Sequence, residues 1–477
     1  MQNNEIQSII SEVVKRLSSE KPLLANSTVV PVQQGQAVSN FGGPIFETVD
    51  EAVNAARIAH ENLISLTLQK RIEIIENIRA KFRSKAVELA KMTVAETGMG
   101  REDHKIAKIM LSTDKTPGVE FLTPKAMTGD AGLTLEERAP YGVIAAIAPS
   151  TNPVPTVINN GISMVAGGNS VVFGAHPAAK NVTQEAIRIF NSACQELGGP
   201  ANIATAVLKP DIKNGTELMG HKGIDLLVVT GGPGVVEAAL KMPIRAICAG
   251  PGNPPVVVDE TADLVACSKK IVDGATFDNN ILCTAEKEIF AVATIADELC
   301  RNMEANGAYK LNRNEMAILE KLIIDANGRV NREFVGKNAD FILKAAGINV
   351  SSNIRMGLAF DVPADHPFVM HELLMPIIPL VKVKDVDEAI NRSIVAEHGF
   401  RHSAVMHSKN IDSLHKMARA IKTTIFVKNG PSYAGLSFGG EGYTTLTIAG
   451  TTGEGMTNAL TFTKQRRCVL VDYFRIV

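Results

Sequence analysis

The sequence has no tryptophan, and it has no Lys/Arg-rich block or interleaved aromatic stripe of the kind that marks many nucleic-acid binders. It also lacks a charge excess. Its 49 Lys and Arg against 50 Asp and Glu leave a formal net charge of −1, too little for general phosphate neutralisation. Cys194, Cys248, Cys267, Cys283, Cys300 and Cys468 show no CxxC and no Cys/His ligand spacing. Neither a zinc or other metal site nor a disulfide framework is therefore indicated, and the pattern suits a reducing cytoplasm. Residues 141–179 hold no charge of either sign, yet Pro149, Pro153 and Pro155 break that stretch and Asn152, Asn159, Asn160 and Asn169 wet it, which excludes a membrane span.

What is present is the composition of a soluble globular protein, 45% apolar and 21% charged over 477 residues, long enough for two or three domains. Residues 5–17 place Ile6, Ile9, Ile10, Val13, Val14 and Leu17 on one stripe of a helix. Charges interrupt any signal-peptide core there, and residues 18–43, rich in Ser, Pro, Gln and Gly, read as a linker. A tethered amphipathic helix with no core of its own is expected to dock on a partner protein; folding back on its own domain or lying on a membrane are the alternatives.

From Thr48 to Thr97 the pattern is helical, with Asp50 as the expected N-cap, and it ends at Gly98-Met99-Gly100. Residues 125–139 read as a hairpin around Gly129-Asp130-Ala131-Gly132. Strands expected at Val143–Ile147, Ser170–Phe173, Ile203–Val207 and Asp225–Thr230 alternate with helices, which implies a doubly wound parallel sheet covered on both faces. The Thr230-Gly231-Gly232-Pro233-Gly234 turn that follows lacks the third glycine of a dinucleotide fingerprint, and no Walker loop occurs. A second α/β region runs from about Pro254 to Thr444, and Cys468–Val477 reads as a strand whose apolar edge needs pairing, most economically with another subunit.

The chemistry is expected around Cys283. It follows the turn-prone Asp278-Asn279-Asn280 and precedes a strand-like run from Glu288 to Thr294, a helix-to-strand corner where a thiolate can be stabilised beside polar amides. Buried filler is the competing reading. Asn152, just before Pro153, is placed either to cap a helix or to donate to an oxyanion. Glu372 precedes a buried strand and can hold a ribose hydroxyl pair or sit solvated at a turn. His398, His402 and His407 are three candidate bases, each open to a structural role.

Taken in order, ETGMGREDHK (96–105), IAPSTNPVPTVINN (147–160), FGAHPAAK (173–180), VVTGGPGVVEAA (228–239), AGPGNPPVVVDETADL (249–264), FDNNILC (277–283), HELLMP (371–376), FVKNGPS (426–432) and LSFGGEGYTT (436–445) resemble the aldehyde dehydrogenase superfamily. The similarity is specific to its CoA-acylating branch in bacterial microcompartments for ethanolamine or propanediol breakdown. It implies two doubly wound parallel α/β domains, an NAD-binding one at 44–118 and 141–250 and a catalytic one at 251–445. A β oligomerisation arm is implied at 119–140 and 446–477, behind a targeting helix at 1–18 and a linker at 19–43. It implies that Cys283 is the nucleophile, Asn152 the oxyanion donor and His402 the group that handles the CoA proton. Thr151, His176, Pro177, Thr230, Gly231, Gly232, Gly250 and Glu372 fall at NAD contacts, with His176 standing where hydrolytic relatives carry a lysine.

One departure bears on the reaction. Hydrolytic members activate water with a glutamate in a Glu-Leu-Gly-Gly stretch, where this chain has Ala249-Gly250-Pro251-Gly252. Water without a base or metal is a poor nucleophile, whereas a thiol needs far less help. The resemblance thus implies oxidation of acetaldehyde or propionaldehyde by NAD+ and coenzyme A to acyl-CoA, in a cytoplasmic homodimer or homotetramer held within a microcompartment by shell contacts of residues 5–17. A hydrolytic enzyme that makes free acid and a non-catalytic shell scaffold are the rival readings.

Overall fold

The computed structural model describes residues 43–326 and 328–477; the helix expected at 5–17 lies outside them. Strand β1 (Ile45–Phe46) is followed by α1 (Val49–Ile64), α2 (Leu68–Thr97) and α3 (Glu102–Lys115). The single helical pattern expected from Thr48 to Thr97 is therefore two helices. Thr48, not Asp50, caps α1 in a capping box with Glu51, and Thr67 opens α2 by accepting from the Lys70 N–H. Asp50, inside α1, instead meets His221 at 2.7 Å.

The hairpin β2 (Lys125–Gly129) and β3 (Gly132–Pro140) leads into β4 (Val143–Ile147), α4 (Pro153–Ala166), β5 (Ser170–Gly174) and α5 (Lys180–Glu196). Then come β6 (Ala204–Val207), α6 (Ile212–Gly220), β7 (Leu226–Thr230), α7 (Pro233–Leu240) and β8 (Ala246–Ala249). Six of these strands form a parallel sheet in the order β1-β6-β5-β4-β7-β8. The uncharged stretch lies at its centre: β4 and β5 are almost wholly buried and every residue of α4 is buried. Strand order reverses between β4 and β7, and at such a switch point the loops beyond the strand C-termini open a crevice. The loops there carry Thr151-Asn152 and Gly231-Gly232.

The second sheet begins with β9 (Pro255–Val258), α8 (Leu264–Thr276) and β10 (Glu288–Val292). It continues with β11 (Ala308–Lys310), β12 (Met356–Phe360), β13 (Ile377–Val383), β14 (Ser403–His407) and β15 (Ile425–Lys428). It too is parallel, ordered β11-β12-β13-β10-β9-β14-β15, with β10 central and buried throughout. After the short pair β16 (Ile448–Ala449) and β17 (Gly455–Met456), β18 (Thr463–Val471) closes the chain's regular structure. The fold is thus the aldehyde-dehydrogenase-like arrangement of two parallel α/β sheets with a separate antiparallel one. In that third sheet β18 runs along β3 from Thr463↔Pro140 to Val471↔Gly132. The strand expected at Cys468–Val477 therefore starts earlier, ends at Val471, and pairs one edge within its own chain. Its other edge faces no strand among the described residues, and Val469, Val471 and the following Tyr473 and Phe474 are exposed.

Candidate active site

Between α8 and β10 the chain turns through Asp278, Asn279 and Asn280 at φ 50°, 54° and 66°. Three consecutive left-handed residues are costly for L-amino acids, and Asp and Asn tolerate them best. Hydrogen bonds from the surroundings hold the turn. Asn279 Nδ2 donates to the Gly336 carbonyl at 2.9 Å and to Asn338, and Asn280 Nδ2 donates to the carbonyls of Ala275 and Glu286. Beneath it the Lys287 ammonium donates to Asn280 O and Oδ1, both at 2.7 Å, and to Leu282 O.

The turn delivers Cys283 half-buried. Cys194, Cys248, Cys267 and Cys300 are buried and Cys468 is exposed, so Cys283 alone combines enclosure with access. The expectation that polar amides stabilise its thiolate is not met, because the Asn279 and Asn280 amides donate to Gly336, Asn338, Ala275 and Glu286 instead. Burial, with the Glu372 carboxyl beside it, pushes the thiol up to about 11; Lys287, Lys108 and the residue's own N–H act the other way. Glu372 is itself pushed up to about 7 by burial, opposed by Lys287 and the Gly252 N–H.

Gly252 is the hinge of this wall. A Cβ added there would lie 2.9 Å from both the Cys283 carbonyl oxygen and His402 Cγ, so the nucleophile loop and His402 meet across a glycine. His402 is buried, takes Ser403 Oγ at Nδ1 (2.8 Å), and donates its backbone N–H to Glu397 (2.9 Å). Burial and the nearby Lys287 push its imidazole down to about 4, so it is neutral. The other two candidate histidines are elsewhere. His398 is exposed with Nε2 at the Met370 carbonyl, and His407 is buried inside β14.

Asn152 occupies the N-cap position of α4 but makes no capping hydrogen bond. Its Oδ1 accepts from Lys108 Nζ at 2.5 Å, and the Thr151 carbonyl accepts from Lys105 Nζ at 2.9 Å. Both ammoniums pair with Asp278 at the start of the Cys283 turn. Asp278 also accepts from the Arg101 N–H, and at Gly100 (φ 80°) any side chain would strike its carboxylate. Lysines 105 and 108 were not expected to be functional, nor were Asp278, Glu286, Lys287 and Glu288. The available signal was Glu286-Lys287-Glu288, three charges opening a strand that must be buried.

Further along the crevice Thr230 Oγ1 meets Thr447 Oγ1 at 2.8 Å, the Gly231 N–H donates to Ala249 O, and Gly250 backs onto Thr451. A Cβ added at Gly232 meets nothing within 4 Å, and α7 begins there without a side-chain cap, leaving its first amides free. Open space, bare glycine backbone and free amides suit a dinucleotide pyrophosphate, so these residues fit NAD. His176 and Pro177 are exposed just beyond β5, and His176 Nδ1 accepts from the Ala178 N–H.

Comparison with known proteins agrees with this architecture. The profile of the aldehyde dehydrogenase family matches residues 25–465. The chain is 47% identical to acetaldehyde dehydrogenase (acetylating) EutE of Salmonella typhimurium over 100% of both chains. Among solved structures it is similar to a propionaldehyde dehydrogenase from the Clostridium phytofermentans fucose utilisation bacterial microcompartment (TM-score 0.89, 47% identity, 91% of this chain and 100% of that one). It is also similar to the Rhodopseudomonas palustris propionaldehyde dehydrogenase, solved with bound CoA and an acylated cysteine (TM-score 0.88, 48% identity, 90% and 98%).

Proposed function

The chain belongs to the aldehyde dehydrogenase family, and on that premise we propose that it oxidises a short aliphatic aldehyde, acetaldehyde or propionaldehyde, with NAD+ and coenzyme A to acyl-CoA and NADH. The observation that carries the choice of thiol over water is the wall opposite Cys283. Gly252 stands there, and no carboxylate is present from Ala249 to Gly252. Of the acids around the site, Glu286 accepts from Ser432 N and Oγ at 2.7 and 2.6 Å, Glu372 accepts from the Gly252 N–H near Lys287, and Glu288 is wholly buried, its carboxyl pushed well up by that burial. A water therefore lacks the carboxylate base of the hydrolytic members, while a thiol needs less activation, such as the neutral His402 can give.

In this reading Cys283 Sγ, once deprotonated, attacks the carbonyl carbon, and the carbonyl electron pair moves onto oxygen, where the Asn152 amide and the Cys283 N–H receive it. Thr230, Gly231, Gly232 and Glu372 would hold NAD+, which when bound would supply the acceptor for the hydride that leaves the same carbon. The resulting thioester is cleaved when the CoA sulfur displaces Cys283 Sγ; His402, neutral and beside Gly252, takes the CoA proton. Thr151, His176, Pro177 and Gly250 line the cofactor crevice. Residues 5–17 dock the enzyme on the shell of a microcompartment, a reading supported by their apolar stripe and by the compartment origin of the Clostridium relative.

The test is a product assay with propionaldehyde and NAD+. Acyl-CoA should form only with CoA present, and Cys283→Ala should lower the rate by several powers of ten with the fold intact. Free acid formed at the same rate without CoA would favour the hydrolytic reading, and more than about a tenth of the activity left in Cys283→Ala would reject the nucleophile.

A further inference from the structure

Lys105 and Lys108 lie one turn apart on α3 and are 1% and 2% exposed, facing an Asp278 that is 0% exposed. Two lysines share one carboxylate, one more than it needs, and burial with the neighbouring Lys108 pushes Lys105 down to about 7. Burial of an unbalanced charge is expensive, and such clusters persist where they do something. Lys108 is the member that reaches both walls of the site. On one side it pairs with Asp278, five residues before Cys283; on the other it donates to Asn152 Oδ1 at 2.5 Å. Asn152 has no other use for that oxygen, since it caps no helix.

We propose that Lys108 is a positioning residue for the oxyanion site: seated on Asp278, it grips Asn152 by its carbonyl oxygen and thereby aims the amide N–H at the substrate oxygen. The amide of an unrestrained asparagine can flip, presenting either a donor or an acceptor to the substrate. With a cation fixed on Oδ1 only the donor orientation survives, and withdrawing electrons from the amide carbonyl strengthens the N–H as a donor. Lys105 completes the clamp by holding the Thr151 carbonyl at 2.9 Å and Asp278 at 2.9 Å, which fixes the backbone on which Asn152 sits. The same Asp278 anchors the turn that presents Cys283, so one buried ionic brace sets the nucleophile against the oxyanion donor. This rests on the reading of Asn152 as the oxyanion donor, and the variants are chosen so that either can fail alone.

The experiment compares kcat and KM for propionaldehyde in Lys108→Met, Asn152→Ala, their combination, and Lys108→Met/Asp278→Asn, with Tm for each. Loss of one oxyanion donor costs about 10²- to 10³-fold in rate, so Asn152→Ala should lower kcat by about that factor and Lys108→Met by about 10- to 100-fold, each with KM within about threefold. Two residues acting as one unit are not additive, so Lys108→Met should cost less than about threefold more once Asn152 is alanine. Lys108→Met leaves Asp278 paired with Lys105, so its Tm should stay near the wild-type value while kcat is low; Lys108→Met/Asp278→Asn strips the buried Lys105 of its carboxylate and should lower Tm further. The proposal is overturned if Lys108→Met keeps kcat within about threefold of wild type, if the two losses multiply, or if Lys108→Met lowers Tm as far as Lys108→Met/Asp278→Asn does. Should Lys108→Met fail to fold, kcat of Lys108→Gln, whose side chain is neutral and one atom shorter, decides alone. An Asn152→Ala enzyme of unchanged kcat would instead overturn the oxyanion reading itself.

Discussion

At neutral pH the Cys283 sulfur carries its proton, because burial and the facing Glu372 carboxyl hold the group at about 11. The sign of the consequence follows. Thiolate is the reactive form and its fraction rises as pH approaches the pKa from below, so iodoacetamide labelling of Cys283 in the free enzyme should quicken by about tenfold per pH unit between pH 7 and 10. Labelling at pH 7 that is already at its plateau would show a thiolate the structure does not support. Glu372 disfavours the thiolate by its like charge, so Glu372→Gln should label about two- to fivefold faster at pH 9, where the native carboxyl is ionised. Slower labelling would mean that Glu372 acts instead as the base for Cys283.

At the scale of elements, the site is a meeting of three loops. One follows β4, one precedes β9, and one carries Cys283 into β10; α3 fastens the first to the third. The stretch before β9 is the part proposed to set which nucleophile completes the reaction. Ala249→Glu, which restores an acid where hydrolytic relatives carry one, should raise free-acid formation in CoA-free buffer, read as sustained NADH release with the acid quantified. A folded Ala249→Glu variant with no gain would assign acceptor choice to the shape of the crevice.

Much of this layout was legible. The uncharged run at 141–179 announced strands buried on both faces, and β4 spans the stretch expected at Val143–Ile147. Asn152 and Cys283 stood out because each abuts the end of a buried element. The break between α1 and α2 was not legible, since Ser65-Leu66-Thr67 keeps the apolar spacing and only the Thr67 cap marks the new start. Nor were Lys105 and Lys108. Among Glu102, Asp103 and His104 they read as a solvated helix face, and what buries them is Asp278, brought there by tertiary folding alone. The state of the Cys283 thiol was likewise hidden, because it depends on where the asparagine amides of the turn spend their hydrogen bonds.

At the scale of the molecule, two features concern partners. The β18 edge and the apolar residues after it are suited to pairing between copies of the chain in the proposed dimer or tetramer. The stripe at residues 5–17, outside the described residues, is proposed to serve a different partner. Deleting residues 1–20 should leave kcat and KM nearly unchanged and abolish co-purification with microcompartment shells. Ile10→Glu with Val14→Glu should do the same, because each places a charge in the apolar face at about a few kcal/mol of docking energy. Loss of activity or solubility on truncation would show that the helix packs on its own domain.

The central claim is that the acyl group passes through a thioester on Cys283 to a thiol. It is tested most directly by mixing enzyme with propionaldehyde and NAD+ without CoA, quenching, and locating the adduct by peptide mass spectrometry. The account predicts about one equivalent of NADH per subunit, a propionyl group on the peptide containing Cys283, and its discharge as propionyl-CoA when CoA is added. An unmodified Cys283 under those conditions, or continuous NADH release with propionate as product, would contradict it.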